Sequence, residues 1–320
     1  MKVLYFDCFS GLSGDMTIGA LLDAGADFSH LEKELKKLHI EDEYELKIDK
    51  IVKNGITSTK FDVILKNDGQ LHSHIGHAHG HAHGEHAHTH THHDHADTHQ
   101  HHDHSHTHDE NHDHSHDHSH DHSHQHEHGH HHHHHHEHHH DHGHAHHHDH
   151  HHRAYRDIVK LIDDAELSSK VKEMALAMFK KIGEAEGRIH GLALQDVHFH
   201  EVGAVDSIID IVGTAILIDQ LGVDTIKSAA VPTGFGKIHI DHGIYPVPAP
   251  ATLEILRGVQ VVESEIKAEL TTPTGAAIVA VLASEFCSFP SMKVTEIGYG
   301  AGTKTFPNHP NVLRVVIGEQ

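Results

Sequence analysis

The chain has 320 residues, 53 of them His, and a formal charge of −23 with His neutral. Only eight His lie outside residues 72–152, leaving 45 inside, and that span has 13 Asp or Glu and no Lys or Arg. The flanks are therefore acidic as well, at −10, which excludes the basic footprint of a nucleic-acid-binding protein.

The His-rich span holds almost no large apolar side chain and cannot offset the entropy of ordering itself. It reads as a disordered insert, dividing the chain into residues 1–70, an insert over 71–152, and residues 153–320. Two Cys, neither in a C-x-x-C pair, argue against a disulfide framework or a zinc knuckle. The apolar opening is too short for a signal peptide, and no uncharged stretch reaches transmembrane length. The expected setting is the cytoplasm, with no membrane contact.

In chain order, Val3, Leu4, Tyr5 and Phe6 predict a buried strand with Asp7 at its C-terminal end. Residues 10–16 form a turn with N-cap residues, and Ile18, Leu21 and Leu22 follow at helical spacing up to a stop at Gly25. Ligands gather at the carboxyl ends of strands in open α/β sheets, so Asp7 and Asp15 are candidate site residues. Asp15 as a mere helix cap is the competing reading. Residues 44–50 and 59–65 alternate as strands. Residues 153–165 predict a helix, and Ser168 caps another whose core face includes Met174 and Met178. These Met could form a soft metal pair, but their helical spacing favours packing.

Residues 196–201 are read as a strand, and residues 207–221 as a helix apolar on most faces. A Gly/Pro-rich stretch over 231–250 precedes short helices near 252–257 and 275–285, and the chain closes on a strand over 312–317. The fold class expected is α/β: a mixed sheet with flanking helices, interrupted by the long insert.

Neutral imidazole is the commonest protein ligand for zinc, nickel and copper, and the insert repeats it as His-x-His. Alternate residues of an extended chain point the same way. His77, His79, His81 and His83, and the run His131, His132, His133, His134, His135 and His136, are thus candidate metal ligands. The run could be read as a cloning tag, but it sits mid-chain among related repeats. Low-complexity drift is the other competing reading. Ligand type alone would favour copper.

A more specific constellation is His198, His200, Glu201 and Asp206, with Asp210 behind. On a strand, His198 and His200 share one face while Phe199 turns inward. Two His and Asp206 would leave coordination positions open for a substrate. Asp206 and Asp210 are i,i+4 neighbours that repel by about 0.2–0.5 kcal/mol, which a cation would relieve. An N-cap Asp206 beside a polar strand face is the alternative.

Residues 298–305, GYGAGTKT, approach a P-loop, but Thr303 stands where its second Gly is required and Pro307 where a helix should begin, so that reading is rejected. Thr272, Thr274 and Gly275 open a helix whose free N–H groups could hold a phosphate monoester; an ordinary capped helix fits equally.

The blocks YFDCFSGLSGDMTIGALLDAGA, VHFHEVGAVDSIIDIVG, PTGFGKIHIDHGIYPVPAPATLEIL, ELTTPTGAAIVAVL and IGYGAGTKTFPNHPNVLRVVIGE occur in this order. Together they resemble the LarC family of nickel insertion proteins, over nearly all of the chain outside the insert. A His-rich insert of variable length is also similar to that family. The resemblance implies insertion of Ni²⁺ into pyridinium-3,5-bisthiocarboxylic acid mononucleotide, with two nickel–sulfur bonds and one nickel–carbon bond, to make the nickel-pincer cofactor of lactate racemase. It also implies CTP and Mn²⁺ bound by a further C-terminal domain; as the chain stops at Gln320, the expectation is either a truncated product or the first of two separately encoded parts. The lactate racemase apoprotein is an implied recipient.

On this resemblance the insert is a nickel reservoir, His198, His200 and Asp206 hold the metal in the folded part, and Asp206, Glu201 or Asp7 accepts the ring proton. Asp7, Asp15, His239 and His242 are next in line as ligands. The rival classes are a non-catalytic nickel store or metallochaperone, and a metal-dependent hydrolase.

Overall fold

The computed structural model describes residues 1–66, 153–199, 202–240 and 242–320. The expectations for the insert, His77 through His136 included, and those for His200 and Glu201 lie outside the described residues.

Four consecutive buried residues, Val3 to Phe6, require a strand covered on both faces, and Lys2–Asp7 (β1) is one. It pairs antiparallel with Val312–Glu319 (β11) and parallel with Thr225–Ser228 (β4). Lys293–Ala301 (β10) adds antiparallel to β11 and parallel to Ile56–Leu65 (β3), which pairs antiparallel with Tyr44–Lys53 (β2). Glu285–Phe286 (β9) closes the other edge, giving the order β2-β3-β10-β11-β1-β4-β9. The sheet is mixed, as expected. β2 and β3 are longer than their alternation implies, because Asn54 and Gly55, both at positive φ, join them in a tight hairpin.

Gly14–Asp23 (α1) lies directly on β10. A Cβ on Gly298 would fall 2.1 Å from the Ala20 carbonyl oxygen, and one on Gly300 would fall 1.8 Å from that of Met16. The glycines of the near-P-loop thus serve helix–strand contact. They also weaken the strand signal, and β10 went unpredicted. Phe28–Leu35 (α2) went unpredicted too: it is short, buries only Leu31 and Leu35, and is announced locally by the Asp27 side chain accepting from Ser29 N–H.

Tyr155–Asp164 (α3) and Ser169–His190 (α4) match expectation, with Ser168 capping α4 and left-handed Gly191 ending it. Met178 is buried and Met174 packs against the core, as their spacing indicates. Val205–Leu221 (α5) is apolar on nearly every face and belongs to the shared core with α1, α2 and α4.

Residues 196–201 do not form the predicted strand in their described part. Leu194–Asp196 is a 3-10 turn, and residues 197–199 make a single bridge, His198 to Ala154, before α3 begins at Tyr155. Among the described residues that bridge is the segment's one strand-like pairing. Val197 and Phe199 still point inward while His198 is exposed.

Val231–Pro232 (β5) pairs with Val261–Val262 (β8), and Lys237–Ile240 (β6) forms a hairpin with Gly243–Pro246 (β7) inside the Gly/Pro-rich stretch. Pro250–Ile255 (α6) and Pro273–Leu282 (α7) each begin on a proline, which needs no N–H partner there. Among the described residues, no helix is long and apolar enough to cross a membrane.

Candidate functional site

Two constellations carry chemistry. The first forms where the loop after β1 meets the starts of α1, α5 and α7. Leu12 N–H donates to Leu270 O at 3.1 Å and Thr272 N–H to Leu12 O at 3.1 Å, tying the loop to the segment before α7. Gly275 must be Gly here, since a Cβ would lie 1.9 Å from Leu12 O. Thr272 is the N-cap of α7 and its hydroxyl already accepts from Gly275 N–H at 3.2 Å.

The same loop delivers α1 against α5. A Cβ on Gly14 would fall 2.3 Å from Asp210 Oδ2, and the Asp210 carboxylate accepts the backbone N–H of Asp15. Asp15 lies within the first turn of α1, not at its N-cap, and accepts from Ser13 Oγ. Asp206 occupies the corresponding turn of α5, whose N-cap is Ala204, and accepts from Ser207 N–H at 2.8 Å. Three carboxylates thus gather, two from α5 and one from α1.

Lys60 of β3 enters this group, with Nζ 2.8 Å from Asp15 Oδ2 and 2.8 Å from Asp62 Oδ1. Burial alone would lower the Lys60 pKa, but Asp15 and Asp62 outweigh it and hold it above the ordinary value. Asp210 is pushed well above the carboxylate range, first by burial and then by Asp15 and Asp206, while Lys60 opposes the shift. Its Oδ1 is buried without a hydrogen-bond partner among the described residues, although the residue retains some exposed surface. The charge relief that the i,i+4 pair calls for is therefore supplied in part by an amine.

Asp7, at the end of β1, is held by Arg314 of β11, whose Nε donates to Oδ2 at 2.7 Å; the guanidinium lies 5.9 Å from the centroid of Phe9.

The second constellation is a shallow cleft between the end of α4, the β6–β7 hairpin and the starts of α6 and α7. Glu186 and His190 come from α4, His242 and Tyr245 from the hairpin, and Pro273 from α7. Glu186 Oε2 lies 3.2 Å from His190 Nε2, and the His190 and His242 ring centroids are 5.1 Å apart. Sequence reasoning passed over Lys60, Glu186 and His190. The i,i+4 spacing of Glu186 and His190 is the one local signal that could have found them, whereas the approach of Lys60 to Asp15 and of His190 to His242 joins distant elements. Among the described residues, no three His, Cys, Asp or Glu side chains already close around a metal position.

The family model described as nickel insertion protein matches residues 4–320. The chain belongs to this nickel insertion family. Curated members named pyridinium-3,5-bisthiocarboxylic acid mononucleotide nickel insertion protein are similar throughout. That of Geobacillus kaustophilus is 44% identical over 322 residues, covering 100% of this chain and 60% of the relative. That of Clostridium kluyveri is 42% identical, covering 100% and 63%, and one from Staphylococcus epidermidis is 38% identical, covering 98% and 59%. The chain thus spans about three fifths of the length of these family members. No solved structure matches it.

Proposed function

We propose that this chain carries out the nickel-handling part of Ni²⁺ insertion into pyridinium-3,5-bisthiocarboxylic acid mononucleotide, toward the nickel-pincer cofactor. The observation that carries this reading is the family match over residues 4–320, with relatives named for that reaction at up to 44% identity. The insert acts as a reservoir of exchangeable Ni²⁺ on neutral imidazole. The folded part presents metal to substrate through His198, His200 and Asp206.

The substrate's flat ring suits the apolar walls of the cleft. Its phosphate points toward the start of α7, where Thr272, Thr274 and Gly275 lie and where Pro273 borders the cleft. Insertion replaces one ring proton by nickel, and the two thiocarboxylate sulfurs complete the grip. The proton passes to a carboxylate: Asp206, with Glu201 and Asp7 as the other candidates. CTP and Mn²⁺ are the co-reactants expected for this insertion. The product goes to the lactate racemase apoprotein in the cytoplasm.

The test combines the chain with the C-terminal part of a relative, Mn²⁺, CTP, Ni²⁺ and the pyridinium substrate, and follows the nickel-bearing product by mass spectrometry. Product is expected with the parent chain, and at least a tenfold loss with His198→Ala plus His200→Ala. Full activity of that double variant removes these two His from the mechanism. No product from the parent overturns the functional reading.

A further inference from the structure

We propose that the free edge of β2 is a dimer interface, filled by β2 of a second copy of this chain in antiparallel pairing centred on Ile48.

β2 is an edge strand of the seven-stranded sheet, and among the described residues nothing pairs with its outer side. Such an edge offers a row of N–H and C=O groups to another strand. The hairpin decides which residues supply them. Lys53 and Ile56 flank the two-residue turn, so their backbones bond to each other. Bonding alternates along an antiparallel pair, and the β2–β3 register runs without a shift. Lys53, Ile51, Asp49, Lys47 and Glu45 therefore direct their backbone groups at β3, while Val52, Lys50, Ile48 and Leu46 direct theirs outward.

A second β2 related by a two-fold axis must set outward-directed residues opposite one another. Near the middle of the strand, centres on Lys47, Ile48 or Asp49 do so. A centre on Lys47 opposes Lys47 to its own copy and Glu45 to Asp49. A centre on Asp49 opposes Asp49 to its own copy. Like charges directly opposite are destabilising. The centre on Ile48 instead opposes Lys47 of each copy to Asp49 of the other.

The side chains suit that register. Lys47 and Asp49 share one face of the strand, with Nζ 2.7 Å from Oδ2 and both half-exposed, so the two copies would close a ring of alternating charges. On the other face Ile48, 38% exposed, meets its own copy, and Val52, 65% exposed, meets Tyr44. Lysines often guard an edge against pairing. Here Lys50 is held by Asp23, and Lys53 donates to Thr303 O, Lys304 O and Thr305 Oγ1. That leaves Lys47, whose charge the pairing uses.

The experiment is sedimentation velocity of the full chain over a concentration series, with EDTA present so that no metal bridges the His-rich inserts. The parent should pass from monomer to dimer, a twofold rise in mass. Lys47→Glu alone and Asp49→Lys alone should each stay monomeric where the parent is dimeric. Both positions are exposed, so neither change threatens the fold. An equal mixture of the two variants should dimerise, because every charge pair across the interface is then of opposite sign. A chain carrying both changes should dimerise with itself for the same reason.

A parent that is monomeric at every concentration overturns the proposal. So does a dimer that survives both single changes, which places the interface on another surface, or a mixture that stays monomeric.

Discussion

Asp210 joins two helices and is held against its own ionisation. Its carboxylate accepts the Asp15 backbone N–H, while burial, Asp15 and Asp206 raise its pKa well above 3.8. A carboxyl raised on folding retains its proton where the unfolded chain has lost it. The wild type therefore gives up stability as pH climbs above the unfolded value of about 3.9, and the penalty grows until the folded group also ionises. Asp210→Asn keeps an acceptor for the N–H and removes that penalty. Its thermal midpoint at pH 8 should exceed the parent's by about 2–4 °C, equivalent to ~1 kcal/mol, with the difference vanishing near pH 3. A variant less stable than the parent at pH 8 would mean the carboxylate is ionised and needed there.

Lys60 makes the opposite case. Lys60→Met strands Asp15 beside two other carboxylates. Because Asp15 and Asp62 are partly exposed, the expected loss is about 1–3 kcal/mol, below that of a fully buried pair. The Lys60 contribution is present throughout neutral pH and fades only as pH rises beyond 10.5 through its raised folded value. Urea melts of the variant at pH 7 measure it directly.

At the level of elements, the seating of α1 on β10 depends on the absence of side chains. Gly300→Ala places a methyl 1.8 Å from Met16 O, a backbone atom that cannot move without shifting the helix. The expected cost is about 3 kcal/mol or more, with a loss of cooperativity in the melt. A midpoint within 2–4 °C of the parent, about 1 kcal/mol, would show that the helix is freer to slide than this packing implies. Gly55→Ala provides contrast. Its Cβ meets nothing within 4 Å, and only the positive φ of 84° opposes it, so about 1 kcal/mol is expected.

β1, α4, α5 and β11 were legible because each carries its own signal: an apolar run, a cap, or an apolar surface. β10 was not, since Gly-rich sequence reads as loop until a helix is known to lie on it. The segment at 196–201 failed for the converse reason. Alternation suggested a strand, but a strand also needs a neighbour, and among the described residues Ala154 supplies a single bridge.

For the whole molecule, deleting residues 71–152 should preserve a single cooperative thermal transition, because the span brings almost no apolar surface to a core. The same deletion should remove most of the Ni²⁺ bound per chain at mildly alkaline pH, where imidazole is neutral. Equilibrium dialysis that finds the metal content unchanged would dispose of the reservoir.

Composition alone identified that insert as a source of imidazole. Short-range pattern was enough for the α/β class and the principal helices, and ordered blocks were enough for the family, because each of these depends on residues close together in the chain. Tertiary structure alone decided which charged groups meet: Asp15 with Asp210 and Lys60, Asp7 with Arg314, and His190 with His242 beside Glu186. Charge and coordination act over a few ångströms in space, and strand order and helix packing, rather than separation along the chain, set those distances.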